Sequence, residues 1–188
     1  MRLARNPARR QERTLGAVLV LAAASAQILW LGSAVVPLSL GLLAVYLAWA
    51  IAPWKNEPRK VLPMYLAAVA IQCAHFTEEF ATGFQRQFPP LLGSRWDDAH
   101  FVSFNLAWIG VFLLAAAGVY RRQPLAYLPV LFLAAVGGVA NGAGHLLLSL
   151  AQRRYFPGAI TAPFCLVAGA LLLARLFGGT GDRPGPRQ

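Results

Sequence analysis

From Leu15 to Pro53 the chain runs for thirty-nine residues without one Asp, Glu, Lys or Arg. A single helix of that length would overrun a hydrocarbon core of about 30 Å twice over, since each residue rises about 1.5 Å. The run must therefore fold back, and Gly32-Ser33 through Pro37 supplies the break. That gives two spans, 15–31 and 35–52, and further apolar runs follow at 61–81, 101–119, 125–150 and 157–177. No segment reads as strand. The expected fold class is all-α, a polytopic membrane helix bundle of six transmembrane helices.

Composition agrees. Of 188 residues, 57% are hydrophobic and 13% charged, where a soluble domain would carry roughly a quarter charged. The expected organisation is a basic cytoplasmic segment (1–14), one six-helix membrane domain (15–177) and a linker-like, disordered tail (178–188). Five Arg precede the first apolar run, as in a signal peptide, but that run is far too long for a signal h-region. It reads as a retained pair of spans.

The net charge of +10 invites a nucleic-acid reading, but Lys and Arg lie almost wholly between the apolar runs. There they flank a bilayer and do not line a groove, so no nucleic-acid partner is expected. With the N-terminus inside, thirteen basic residues fall on the inner side. Only Arg86, Arg95, Arg153 and Arg154 fall outside. The positive-inside rule then places both termini in the cytoplasm. Cys73 and Cys165 fall inside apolar segments and read as small core hydrophobes.

The polar residues inside these spans stand out most. His75, Glu78 and Glu79 lie in Cys73-Ala-His-Phe-Thr-Glu-Glu-Phe80. Ionisable groups inside a span are expensive and point by default to function. Spacings of three and four place them on one helical face, able to converge on one point. Orienting the spans brings further polar residues to the same, outer depth: Asn105 on span four, Asn141 and His145 on span five, and Tyr155 and Thr161 where span six begins. The glycines around Asn141 read as packing residues that let helices approach. Segment 82–100, rich in Phe, Pro and Trp, reads as a lid or interface-lying stretch whose charges are solvated.

His75-Phe-Thr-Glu78-Glu79, with Asn141-xxx-His145 and Tyr155-Phe-Pro157-Gly158-xx-Thr161, resembles the HXXEE family of small bacterial membrane proteins over roughly residues 60 to 165. The resemblance implies a shared site in a bacterial inner membrane and supplies no reaction. A weaker likeness, in the His75–Glu79 spacing alone, is to sterol isomerases of the emopamil-binding type.

Two chemistries fit the constellation. In the first, His75, Glu79 and His145 bind a divalent metal, zinc in a hydrolase or ferrous iron in an oxygenase. Glu78 is then the general base, and Asn141 or Asn105 orients a ligand. In the second there is no metal. Glu78, Glu79 and His75 do acid/base work in an isomerase, cyclase or hydrase of an isoprenoid- or sterol-like substrate. Two helices each contributing a His tilts the reading towards metal. Catalytic candidates are Glu78, Glu79, His75 and Asn141; substrate-binding candidates are Asn105, Tyr155, Thr161 and Trp108. Expected partners are the bilayer, a lipophilic small molecule and a second copy in a homodimer. A proton- or ion-coupled transporter and a structural membrane subunit stay open as other classes. A retinal-type Schiff base is excluded because no span holds a Lys, and no Gly-rich phosphate loop, GxSxG elbow or CxxCH occurs.

Overall fold

A computed structural model describes residues 7–52 and 58–178. Of the disordered tail expected over 178–188, residues 179–188 lie outside the described residues, as do Arg2, Arg5, Lys55, Arg183 and Arg187 of the charge count. Among the described residues the structure is helical, with no strand. The helices are α1 (Pro7–Leu31), α2 (Val36–Ile51), α3 (Pro58–Thr82), α4 (Phe84–Leu91), α5 (Asp98–Tyr120), α6 (Tyr127–Phe132), α7 (Asn141–Gln152) and α8 (Ala162–Phe177). Among the described residues three helical segments, Arg9–Ile51, Asp98–Tyr120 and Pro124–Gln152, are long and apolar enough to cross a membrane, and Ala162–Phe177 is a shorter apolar helix.

The uncharged run does fold back. A 3₁₀ turn, Gly32–Val35, joins α1 to α2, and Gly32 adopts a φ of 74°, left-handed territory that costs a glycine little. Gln27 Nε2 donates to Ser39 Oγ at 2.8 Å inside the hairpin. At its far end Tyr46 Oη–H donates to the Arg13 carbonyl at 3.1 Å, and Arg9 donates to the Ala52 carbonyl at 2.6 Å. The turn leaves orphan backbone groups, as helix ends do. Loop residues near 94 satisfy them: Ala34 N–H donates to Ser94 Oγ at 3.0 Å, and Trp96 Nε1–H to the Leu31 carbonyl at 2.8 Å.

The expected lid, 82–100, is more ordered than its Pro content suggests. Gly83 at φ 82° breaks α3, and α4 begins at the next residue. Phe84 and Phe88 stack at 4.8 Å on one face of α4. Phe84, Phe101 and Phe156 form a small buried cluster apart from the main core. Asp97 then caps α5, its carboxylate accepting from the His100 N–H at 2.8 Å. That bond, with a second from the His100 ring, holds the Asp97 carboxyl below its usual range.

Span five is one rod from Pro124 to Gln152, but not a plain α-helix. Its middle, Leu133–Ala140, is π-helical. Such widened turns rotate the residues beyond them relative to a regular helix, and they recur at functional sites. Here the shift falls immediately before Asn141. The same stretch crosses α8 with backbones in contact: a Cβ on Gly138 would lie 2.7 Å from Gly169 Cα, and one on Gly142 would lie 2.6 Å from the Ala162 carbonyl. Small residues at a helix crossing permit this approach. The glycines of 137–144 divide on this point, since Gly144 meets nothing within 4 Å. Span six is corrected by the structure. Its helix starts at Ala162, not near 157, because Gly158 at φ 90° cannot continue a right-handed helix. α3, α8 and the π-helical segment pack together, and α5 lies against α3 and α6. Many large apolar side chains face outward along the helices, Leu29 (87%), Ile51 (81%), Leu114 (75%) and Leu150 (74%) among them.

Candidate metal centre

Successive residues of an α-helix are turned by about 100°, so His75 and Glu79 lie within about 40° of each other while Glu78 sits about 60° to the other side of His75. The structure divides the three accordingly. His75 and Glu79 turn into the bundle and are 0% and 4% exposed. Glu78 turns towards the start of α8. There its Oε1 accepts from Tyr155 Oη–H at 2.6 Å and Ile160 N–H at 2.9 Å. Its Oε2 accepts from Thr161 N–H at 2.7 Å and from the Thr161 hydroxyl. Four donors fill the four lone-pair sites of a carboxylate. A negative charge on the orphan N–H groups at a helix start is favourable in its own right. Burial, then the hydrogen bond to Glu78, lifts the Tyr155 phenol above its ordinary value, so it remains a donor.

That network reaches His75. Thr161 spends its hydroxyl proton on Glu78, so its oxygen can only accept from His75 Nδ1, 2.7 Å away. His75 Nδ1 therefore carries the ring proton and Nε2 a bare lone pair. His145, buried on α7, has the same polarity by a different route. Its Nδ1 lies 2.6 Å from the Pro157 carbonyl, which can only accept. In the neutral ring, Nε2 then carries the lone pair. Both lone pairs converge on one atom: Glu79 Oε1 lies 3.1 Å from His145 Nε2 and 3.5 Å from His75 Nε2. Three acceptor atoms meeting in a buried place repel unless a cation or a proton stands among them. Ligands about 2.1 Å from a tetrahedral ion lie roughly 3.4 Å apart, which fits these spacings. The donor atoms of His75, Glu79 and His145 all lie within 4.8 Å of one another. The outer partners that orient metal-bound histidines are also in place, a carbonyl for one ring and a hydroxyl backed by a carboxylate for the other.

Asn141 complicates this set. Its Nδ2 donates to His75 Nε2 at 2.9 Å, so a cation on that nitrogen displaces the amide. Asn141 also borders the cavity beside Glu79. This cavity, of about 390 Å³, is lined by Glu79, Asn141 and Asn105 and otherwise by apolar and aromatic walls, Phe76, Phe84 and Phe101 among them. Asn105 is anchored by its own donation to the Phe101 carbonyl at 3.0 Å.

A family model described as a protein of unknown function with an HXXEE motif matches residues 66–173, more than half of the chain. The chain belongs to the HXXEE family. The match takes in every residue of the His75–Glu79–His145 cluster and its supports, and leaves out the α1–α2 hairpin. No curated protein and no solved structure matches the chain.

The candidate residues of this HXXEE chain therefore separate into groups. His75, Glu79, His145 and Asn141 meet in one place, with Asn105 across the same cavity. Glu78, Tyr155 and Thr161 form the network behind His75. Trp108 is not brought to the cluster. It stacks on Phe132 at 4.4 Å and lines a different cavity. Three contributors carried no residue-level signal of their role. Phe84 closes over the site with its ring 5.5 Å from that of His145. The Pro157 carbonyl fixes a tautomer. Gly158 lies so close that a Cβ would stand 2.7 Å from the His145 ring and 2.9 Å from the His75 ring. The adjacent Pro-Gly pair is a turn signal, but nothing in it says that two imidazoles pack on the turn.

Proposed function

We propose that this HXXEE protein is a membrane enzyme whose His75, Glu79 and His145 hold a divalent metal, zinc or ferrous iron. It acts, as a hydrolase or oxygenase, on a lipophilic substrate drawn from the bilayer. The observation that carries this is the convergence of two imidazole lone pairs, both with Nδ1 protons held elsewhere, on a single Glu79 oxygen. A bound divalent ion supplies Lewis acidity and makes a coordinated water more acidic. The chain's own part is to hold that geometry and shape the cavity. Thr161 with Glu78, and the Pro157 carbonyl, keep both rings in the ligating tautomer. Asn141 and Asn105 present amide donors and acceptors to a polar group of the substrate. Phe76, Phe84 and Phe101 exclude water.

In this reading the six apolar rods span a bacterial inner membrane with both termini in the cytoplasm. The outward-facing leucines and the thirteen-to-four distribution of basic residues support it. Elemental analysis of the detergent-purified protein tests the metal. Stoichiometric zinc or iron is expected, lost in His75→Ala and His145→Ala. Folded protein that takes up neither ion after dialysis against each refutes it.

One observation favours a rival. The Asn141 donation to His75 Nε2 satisfies one of the three lone pairs without any metal. A proton shared between Glu79 and His145 then satisfies the rest, and the pair works as acid and base on an isoprenoid- or sterol-like substrate. Activity that survives chelation but is lost in Glu79→Gln selects this rival.

A further inference from the structure

A second cavity, of about 450 Å³, lies between α1 and α5, walled by Leu19, Ala23 and Trp30 on one side and Ala107, Trp108 and Val111 on the other. The packing explains its existence. α5 is held by α3 and α6, while its contacts with the α1–α2 hairpin are sparse, so the two are separated by a cleft. Almost no polar surface enters it, and its one polar wall residue, Gln27, already donates to Ser39. One residue, Phe104, lines both this cavity and the one beside Glu79. Trp96 packs on the Phe104 ring at 5.8 Å.

We propose that the α1–α5 cleft is the tail site of the substrate, with Phe104 the residue that decides how far a hydrocarbon chain extends past the polar head. This rests on the metal-centre reading, which places the head at Glu79 and Asn141. It adds a substrate class: a single-chain amphiphile with one metal-binding polar group at its end. The walls on α1 run from Gly16 to Trp30, fifteen residues spanning about 21 Å of helix, long enough for an extended chain of roughly sixteen carbons. Lateral entry follows from the same geometry, because the cleft lies between helices and not at the end of the bundle.

The test uses the full chain in lipid nanodiscs, loaded with zinc. The probe is an alkyl hydroxamate of about sixteen carbons, a length set by the cleft, with a diazirine at the far end of its tail. After irradiation, labelled residues are read by mass spectrometry. Adducts are expected on the cleft walls, at Leu19, Ala23 or Trp30 of α1 or Ala107, Trp108 or Val111 of α5, suppressed by excess unlabelled hydroxamate. Phe104→Trp is expected to shift them to the Glu79-side cavity, and Phe104→Leu, a milder change, to leave them in the cleft. Adducts confined to outward-facing Leu29 or Leu114, or a pattern indifferent to Phe104→Trp in folded protein, overturn the proposal. The matched alcohol, which lacks the chelating head, separates this from failure of the metal reading. If it labels the cleft as well as the hydroxamate does, and His145→Ala changes nothing, the tail site stands and the metal anchor falls. If labelling needs His145 but lies outside the cleft, the anchor stands and the tail site falls.

Discussion

Replacing Thr161 with Val removes one oxygen from the site while keeping the shape of the side chain. That oxygen has two tasks, accepting from His75 Nδ1–H at 2.7 Å and donating to Glu78. Glu78 keeps three other donors, Tyr155 and the Ile160 and Thr161 amides, so the start of α8 survives. His75 has no such reserve. It is 0% exposed, and an unpaired buried N–H costs about 1–3 kcal/mol. The ring escapes by carrying its proton on Nε2, where Asn141 can turn its amide to accept, but that nitrogen then no longer binds a cation. By either route metal binding loses the support of its outer partner, for which a loss of about 10- to 100-fold, about 1.4–2.8 kcal/mol, is typical. Zinc affinity measured in micelles by competition with a chromophoric chelator should fall by that factor in Thr161→Val and recover in Thr161→Ser. A Thr161→Val protein that binds zinc as tightly as the wild type refutes the link from hydroxyl to tautomer to ligand.

Other perturbations separate the supports from the cluster itself. Glu78→Gln sets an amide donor against two existing donors at one of the carboxylate oxygens. Allowing for its partial exposure, the loss should be about 2–3 kcal/mol in denaturation experiments; unchanged stability argues against a capping role. Gly158→Ala presses a methyl group on both imidazoles from a φ of 90°. It should lower stability by about 1–3 kcal/mol and abolish tight metal binding, and unaltered affinity would contradict the packing described. The Tyr155 phenol, raised above 10.0 in the folded chain by burial and then by Glu78, contributes stability that is complete below 10.0. That contribution is lost as pH rises through the elevated value. Melting temperature followed into alkaline solution should show this loss in the wild type and not in Tyr155→Phe.

Much of this architecture is legible in the residues themselves. An uncharged run of thirty-nine residues has to turn, and Gly32 through Pro37 holds the only cluster of breakers that leaves both halves long enough. Spacing of four within one helix also settles that His75 and Glu79 share a face, because that angular relation belongs to the α-helix and not to its neighbours. Relations between helices are another matter. Glu78 and Glu79 are adjacent in the chain, yet one caps α8 and the other meets two imidazoles, a division made by where α8 begins. The π-helical turn before Asn141 and the backbone contact of Gly138 with Gly169 set how α7 faces α3, and no local pattern encodes either. Trp108 shares a span with Asn105, but only the assembled bundle puts Phe104 between the cavities that the two line. Sequence alone determined which groups are costly to bury and along which helix face they lie, since both follow from side-chain chemistry and a fixed helical pitch. Only the tertiary structure decided which of them meet, since that depends on close approaches, at Gly138 and Gly158 above all, between residues far apart in the chain.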